Sequence, residues 1–84
     1  MEIKTVNDMA QYIKPVIDKY WSKEVSRNDT LAEIENLFKI PKNRGIAMRG
    51  NKFTPSFERK LGKKRIEELK NFLSEIDKEL YGDL

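Results

Sequence analysis

FTPSFERKLGKKRIEELK, residues 53–70, is the stretch on which the fold turns. Thr54 offers a hydroxyl to cap free backbone N–H groups, and Pro55 suits the first helical position, so a helix is predicted to start there. Ile66, Leu69, Leu73, Ile76 and Leu80 then recur at spacings of three and four, and the pattern runs to about Tyr81. Phe57 and Leu61 lie on the same broad side with a rotated phase. Gly62 falls between the two sets and predicts a bend, or a break into two helices. In an unbroken helix Gly62 costs about 1 kcal/mol relative to Ala. In a new helix starting at Lys63, positive side chains sit at the positive end of the dipole, at about 0.3–1 kcal/mol each when exposed. Either geometry gives up stability locally. The plain alternative makes Gly62 a C-cap and Lys63, Lys64 and Arg65 a solvated face paired with Glu67 and Glu68. Glu lying C-terminal to Lys is the weaker orientation for such pairs.

Working back from this stretch, residues 41–53 (PKNRGIAMRGNKF) carry two Gly, one Pro and two Asn, and read as the least helical part of the chain. Gly50-Asn51 predicts a two-residue hairpin turn; a basic loop with Ile46, Met48 and Phe53 tucked inward is the alternative. Before it, Leu31, Ile34, Leu37, Phe38 and Ile40 line a short amphipathic helix. Thr30 with Glu33, or Asp29, caps it after a turn at 26–29, and Pro41 stops it. The first helix runs from about Asn7 to Ser22, with Asn7 or Asp8 as its cap. Val6, Met9, Ile13, Val16, Ile17, Tyr20 and Trp21 share one face. Tyr20 and Trp21 continue that stripe and are expected to close the core. Pro15 lies nearly opposite and predicts a kink or break. The expected architecture is all-α: a single domain over 1–84 with three helices, or four if the third is broken near Gly62, and a basic loop or minimal β-hairpin at 42–53.

Composition removes whole classes of chemistry. The 84 residues include no Cys and no His. Disulfide frameworks, thiolate chemistry, zinc fingers and His-based catalytic systems are therefore excluded within one chain. No Gly-rich phosphate loop or calcium-loop spacing is present. Glu67 and Glu68 point about 100° apart on a helix, and Asp77, Glu79 and Asp83 fall on a solvated face. The expectation is a non-enzymatic protein with no metal and no cofactor. The N-terminus carries Glu2 and Asp8 without a long apolar run, and no segment approaches the roughly 20 apolar residues of a membrane span. A cytoplasmic location follows as the simplest reading.

The net charge of +3 is unevenly spread. Residues 1–38 carry 5 basic and 7 acidic groups, residues 39–70 carry 11 and 3, and residues 71–84 carry 1 and 4. Lys42, Arg44, Arg49, Lys52, Arg59, Lys60, Lys63, Lys64 and Arg65 form the dense part of the middle block. Such groups neutralise phosphates and release condensed counterions, the main sequence-independent source of affinity for nucleic acid. Arg49 and Arg65 are the candidates for base contact, because arginine pairs bidentately with guanine.

Tyr20-Trp21, the Lys/Asn/Gly-rich loop leading to Lys52-Phe53-Thr54, and Leu61-Gly62-Lys63-Lys64-Arg65-Ile66 come in an order and spacing that resembles a family of short uncharacterised proteins of clostridia and related low-GC Gram-positive bacteria. The resemblance covers about residues 12–73. It implies a small helical domain in a bacterial or mobile-element setting and brings no activity, cofactor or partner. The leading expectation is thus a small nucleic-acid-binding protein, DNA ahead of RNA, acting as a regulator or accessory factor. The alternative is an adaptor or inhibitor that docks on an acidic protein; exposed Ile46, Met48 and Phe53 would favour it, whereas their burial favours nucleic acid. A homodimer joined through Ile66, Leu69, Leu73 and Ile76 is a third option.

Overall fold

The computed structural model describes residues 3–82; Glu2 and Asp83 lie outside them. Helix α1 spans Val6–Trp21, α2 Arg27–Phe38 and α3 Pro41–Ala47. Strands β1 (Met48–Arg49) and β2 (Lys52–Phe53) follow, then α4 (Pro55–Leu61), α5 (Lys63–Ile76) and α6 (Lys78–Tyr81). The protein is all-α with a minimal hairpin, as its sequence predicts.

Caps set the helix starts, and two differ from expectation. Thr5, not Asn7 or Asp8, caps α1: its Oγ1 accepts from the Asp8 backbone N–H at 3.1 Å, while Asp8 Oδ2 accepts from the N–H groups of Lys4 and Thr5. This reciprocal capping box satisfies donors that the helix itself leaves free. Ser26 caps α2 by accepting from the Asp29 N–H. Thr30 is buried inside that helix, where its hydroxyl donates to the Ser26 carbonyl at 2.9 Å. Pro15 does not break α1, which runs on to Trp21. Proline there deprives the Gln11 carbonyl of its helical donor, and the flanking apolar stripe of Met9, Ala10, Ile13 and Ile17 is fully buried.

Pro41 ends α2 and also opens α3 at its first turn. Half of the segment expected as loop is therefore helix. A buried Asn43 secures the junction: its Nδ2 donates to the Leu37 carbonyl at 3.1 Å, near the free end of α2. Beyond α3, Met48 pairs with Phe53 and Arg49 with Lys52 in an antiparallel register. Gly50 takes φ 59° at the first turn position, where a type II′ hairpin turn takes glycine.

The third helical region, expected to run to about Tyr81, is three helices: it breaks at Gly62 between α4 and α5, and again at Asp77, whose side chain caps the short α6. Gly62 adopts φ 95° and ψ 151°, backbone that L side chains rarely reach. Its N–H donates to the Glu58 carbonyl and completes α4, while its own carbonyl accepts from Ile66 N and opens α5. The rotated phase of Phe57 and Leu61 follows: each helix buries its own face. Phe57 and Leu61 of α4 join Ile66, Leu69, Phe72 and Leu73 of α5 in one core with α1 and α2. Tyr20 meets Phe72 edge-on at 5.3 Å, and Phe38 meets Tyr81 edge-on at 6.5 Å. Ile66, Leu69 and Leu73, three of the residues named for a homodimer, are buried in this core. Leu80 and Ile40, expected on apolar stripes, are 42% and 50% exposed.

Candidate nucleic-acid interface

The α3–hairpin–α4 segment folds back over the start of α1. This creates a groove of about 700 Å³ lined by Val6, Gly45, Ile46, Arg49, Lys52, Phe53, Thr54, Pro55, Ser56 and Arg59. Arg49 and Lys52 are cross-strand partners with exposed side chains, and the alternation of a strand turns Met48 and Phe53 inward instead. Arg59 comes from α4, which Thr54 caps by accepting from the Phe57 N–H at 3.2 Å. Among the described residues, three cations thus border the groove and no carboxylate lines it.

A second groove, of about 600 Å³, adjoins the first and shares Pro55 and Arg59 with it. It lies between α4 and α5 and adds Lys63 and Lys70, with Glu58 and Glu67 also on its walls. Among the described residues, Arg49, Lys52, Arg59, Lys60, Lys63, Lys64 and Lys70 make no ion pair. Lys70 was not among the cations singled out from sequence. Its signal is helical spacing: it stands seven residues, about two turns, beyond Lys63. Lys60 and Lys64 are exposed but line neither groove. Arg44 is half-buried in the last turn of α3. Lys42 lies apart, on a groove with Asp29 and Glu33 between α2 and α3.

Arg65 has a different position from the one expected of a base-reading arginine. Its Nε and Nη2 each donate to Asp18 at 3.0 Å, to the two carboxylate oxygens in turn. Its Nη1 donates to the Leu61 carbonyl at 3.3 Å, which satisfies an end of α4, and its guanidinium lies 5.9 Å from the Trp21 ring centroid. Trp21 itself is 43% exposed rather than core, and its Nε1 donates to Glu68 at 2.9 Å. Arg65, Asp18, Trp21 and Glu68 therefore tie the end of α1 to the first turns of α5. A planar fork with a bidentate acceptor is the arrangement arginine fits best.

Helix α5 starts with Lys63, Lys64 and Arg65, carries no acid in its first turn and has no side-chain cap. The dipole mismatch foreseen for a helix starting at Lys63 is therefore present. Burial of Met48 and Phe53, with Ile46 half-covered, leaves the hairpin presenting charge rather than apolar side chains. Arg27 of α2 pairs with Glu75 of α5 and lies over the Phe72 ring at 5.0 Å. The hydrogen bond from Arg27 holds the Glu75 carboxyl below its ordinary value. Hydrogen bonds from the Lys4 and Thr5 backbones do the same for Asp8.

Among the described residues, no helix is long and apolar enough to cross a membrane, and no group of three or more acidic side chains is placed to hold a metal ion. No curated protein and no solved structure matches the chain. A family model matches residues 1–74, a wider span than the 12–73 suggested by the three sequence blocks and one that ends just before Glu75. The chain belongs to that family, described as conserved hypothetical protein.

Proposed function

We propose that the protein is a small non-enzymatic nucleic-acid-binding protein, with DNA the first choice of ligand. The observation that carries this reading is the convergence of Arg49, Lys52, Arg59, Lys63 and Lys70 around two adjoining grooves, without ion-pair partners among the described residues. At the first groove no described acid is interleaved with Arg49, Lys52 and Arg59, whereas a solvated structural face would be expected to pair its cations, as Arg27–Glu75 and Arg65–Asp18 do elsewhere. The uncompensated start of α5 argues the same way, because selection for stability alone favours acids there. Phosphate contacts are assigned to the five groove cations, with Lys60 and Lys64 at the margin. Base contact falls to Arg49, since Arg65 is bound to Asp18.

Docking on an acidic protein uses the same charges but lacks the exposed apolar anchors that protein interfaces place at their centres. Fluorescence anisotropy with a labelled random-sequence DNA at low salt tests the proposal. The wild type should bind, and the Arg49→Ala, Lys52→Ala, Arg59→Ala triple variant should bind at least about tenfold more weakly while keeping its helical circular dichroism. Equal affinity of the folded triple variant and the wild type would move the interface elsewhere.

A further inference from the structure

We infer that the groove between α3, the hairpin and α4 seats an unpaired nucleotide, which makes single-stranded nucleic acid the preferred ligand. The inference rests on the nucleic-acid reading and sharpens it. A duplex keeps its bases stacked and offers a protein mainly phosphate and sugar, for which cations alone suffice. This groove has more than cations. Its lining combines apolar Val6, Ile46 and Pro55, with the edge of the buried Phe53, and the cations Arg49, Lys52 and Arg59. Apolar and cationic lining together match a ligand with a flat π-face and an attached phosphate, and an unstacked nucleotide has both. The guanidinium planes of Arg49 and Arg59 can also cover a base face. The volume of about 700 Å³ falls in the range of small-ligand pockets.

Gly45 keeps the groove open. It lies on α3, and a Cβ built there meets nothing within 4 Å. Glycine is a poor helix former, so nothing in the packing of α3 calls for it, whereas a side chain at this position would occupy groove space. That makes Gly45→Leu a test that changes no charge and favours the helix, with Gly45→Ala as the control for helix propensity. Binding would be measured by anisotropy for an oligo-dT strand of about 15 nucleotides and for a closed hairpin duplex of similar length. The wild type should prefer the strand. Gly45→Leu should weaken strand binding about tenfold, the effect of losing one base–protein stacking contact, and weaken duplex binding much less; Gly45→Ala should have little effect on either. Wild-type strand affinity in Gly45→Leu, or a wild-type preference for the duplex, overturns the groove assignment while the broader reading stands. Binding to neither nucleic acid at low salt overturns both.

Discussion

Replacing Arg65 by alanine separates a structural arginine from a phosphate-binding one. The side chain makes a two-point contact with Asp18, but the two partners are 30% and 48% exposed, so solvent screening limits the pair to about 1 kcal/mol. The bond to the Leu61 carbonyl is long at 3.3 Å and adds about 0.5 kcal/mol. The contact with the half-exposed Trp21 ring adds a similar amount, about 0.5 kcal/mol. These terms share one guanidinium and are not fully additive, which gives a loss of about 1–2 kcal/mol. For a domain of this size that lowers Tm by about 5–12 °C. Urea unfolding followed by circular dichroism measures the loss, and Trp21 fluorescence reports the opened corner. A double-mutant cycle with Asp18→Asn should return a coupling of about 0.5–1 kcal/mol. The salt dependence of DNA binding should keep its slope, whereas Lys63→Ala should reduce it by about 0.9. An Arg65→Ala protein of unchanged stability whose salt slope falls by one contact would refute the assignment of Arg65 to the scaffold.

Gly62→Ala should destabilise by about 1–3 kcal/mol through the backbone alone, since the added Cβ would meet only the Arg65 guanidinium at 3.9 Å; urea unfolding checks this. Lys23 holds φ 67° in the turn after α1, so Lys23→Gly should stabilise by about 1 kcal/mol, seen as a raised urea midpoint. Asp8 and Glu75 have carboxyl groups held below their ordinary values by hydrogen bonds made only in the folded state. Their contribution is present above the unfolded carboxylate range and is lost as pH falls through the lower folded values. Stability of the wild type should therefore fall on acidification below about pH 4, and the fall should be shallower in an Asp8→Asn, Glu75→Gln variant.

Much of the fold was legible because it rests on local rules. The stripe from Val6 to Tyr20 buries as its period predicts, Thr54-Pro55 opens a helix, and Gly50-Asn51 turns the hairpin. Pro41 was legible only as a stop. The same ring that ends one helix suits the first turn of the next, and the anchoring Asn43–Leu37 bond carries no sequence signature. Trp21 has the right phase for the core but sits on the last turn of α1, where the stripe runs off the end of the packed surface. The density of cations in residues 39–70 pointed to the proposed interface, yet not to which of them line the grooves. Arg65 is withdrawn by an acid 47 residues away, Lys42 turns to another groove, and Lys70 joins through the geometry of α5. Those assignments depend on which surfaces the tertiary fold brings together.

Five cations around two adjoining grooves are proposed to neutralise nucleic-acid phosphates. A salt titration of binding to a random-sequence duplex tests this most directly, because each neutralised phosphate contributes a known share to the slope. Contacts from Arg49, Lys52, Arg59, Lys63 and Lys70 predict a slope of log affinity against log salt of about −4.5. For a single strand the same contacts give about −3.5. Absence of binding to either form at low salt, or binding with a slope near zero, would contradict the account.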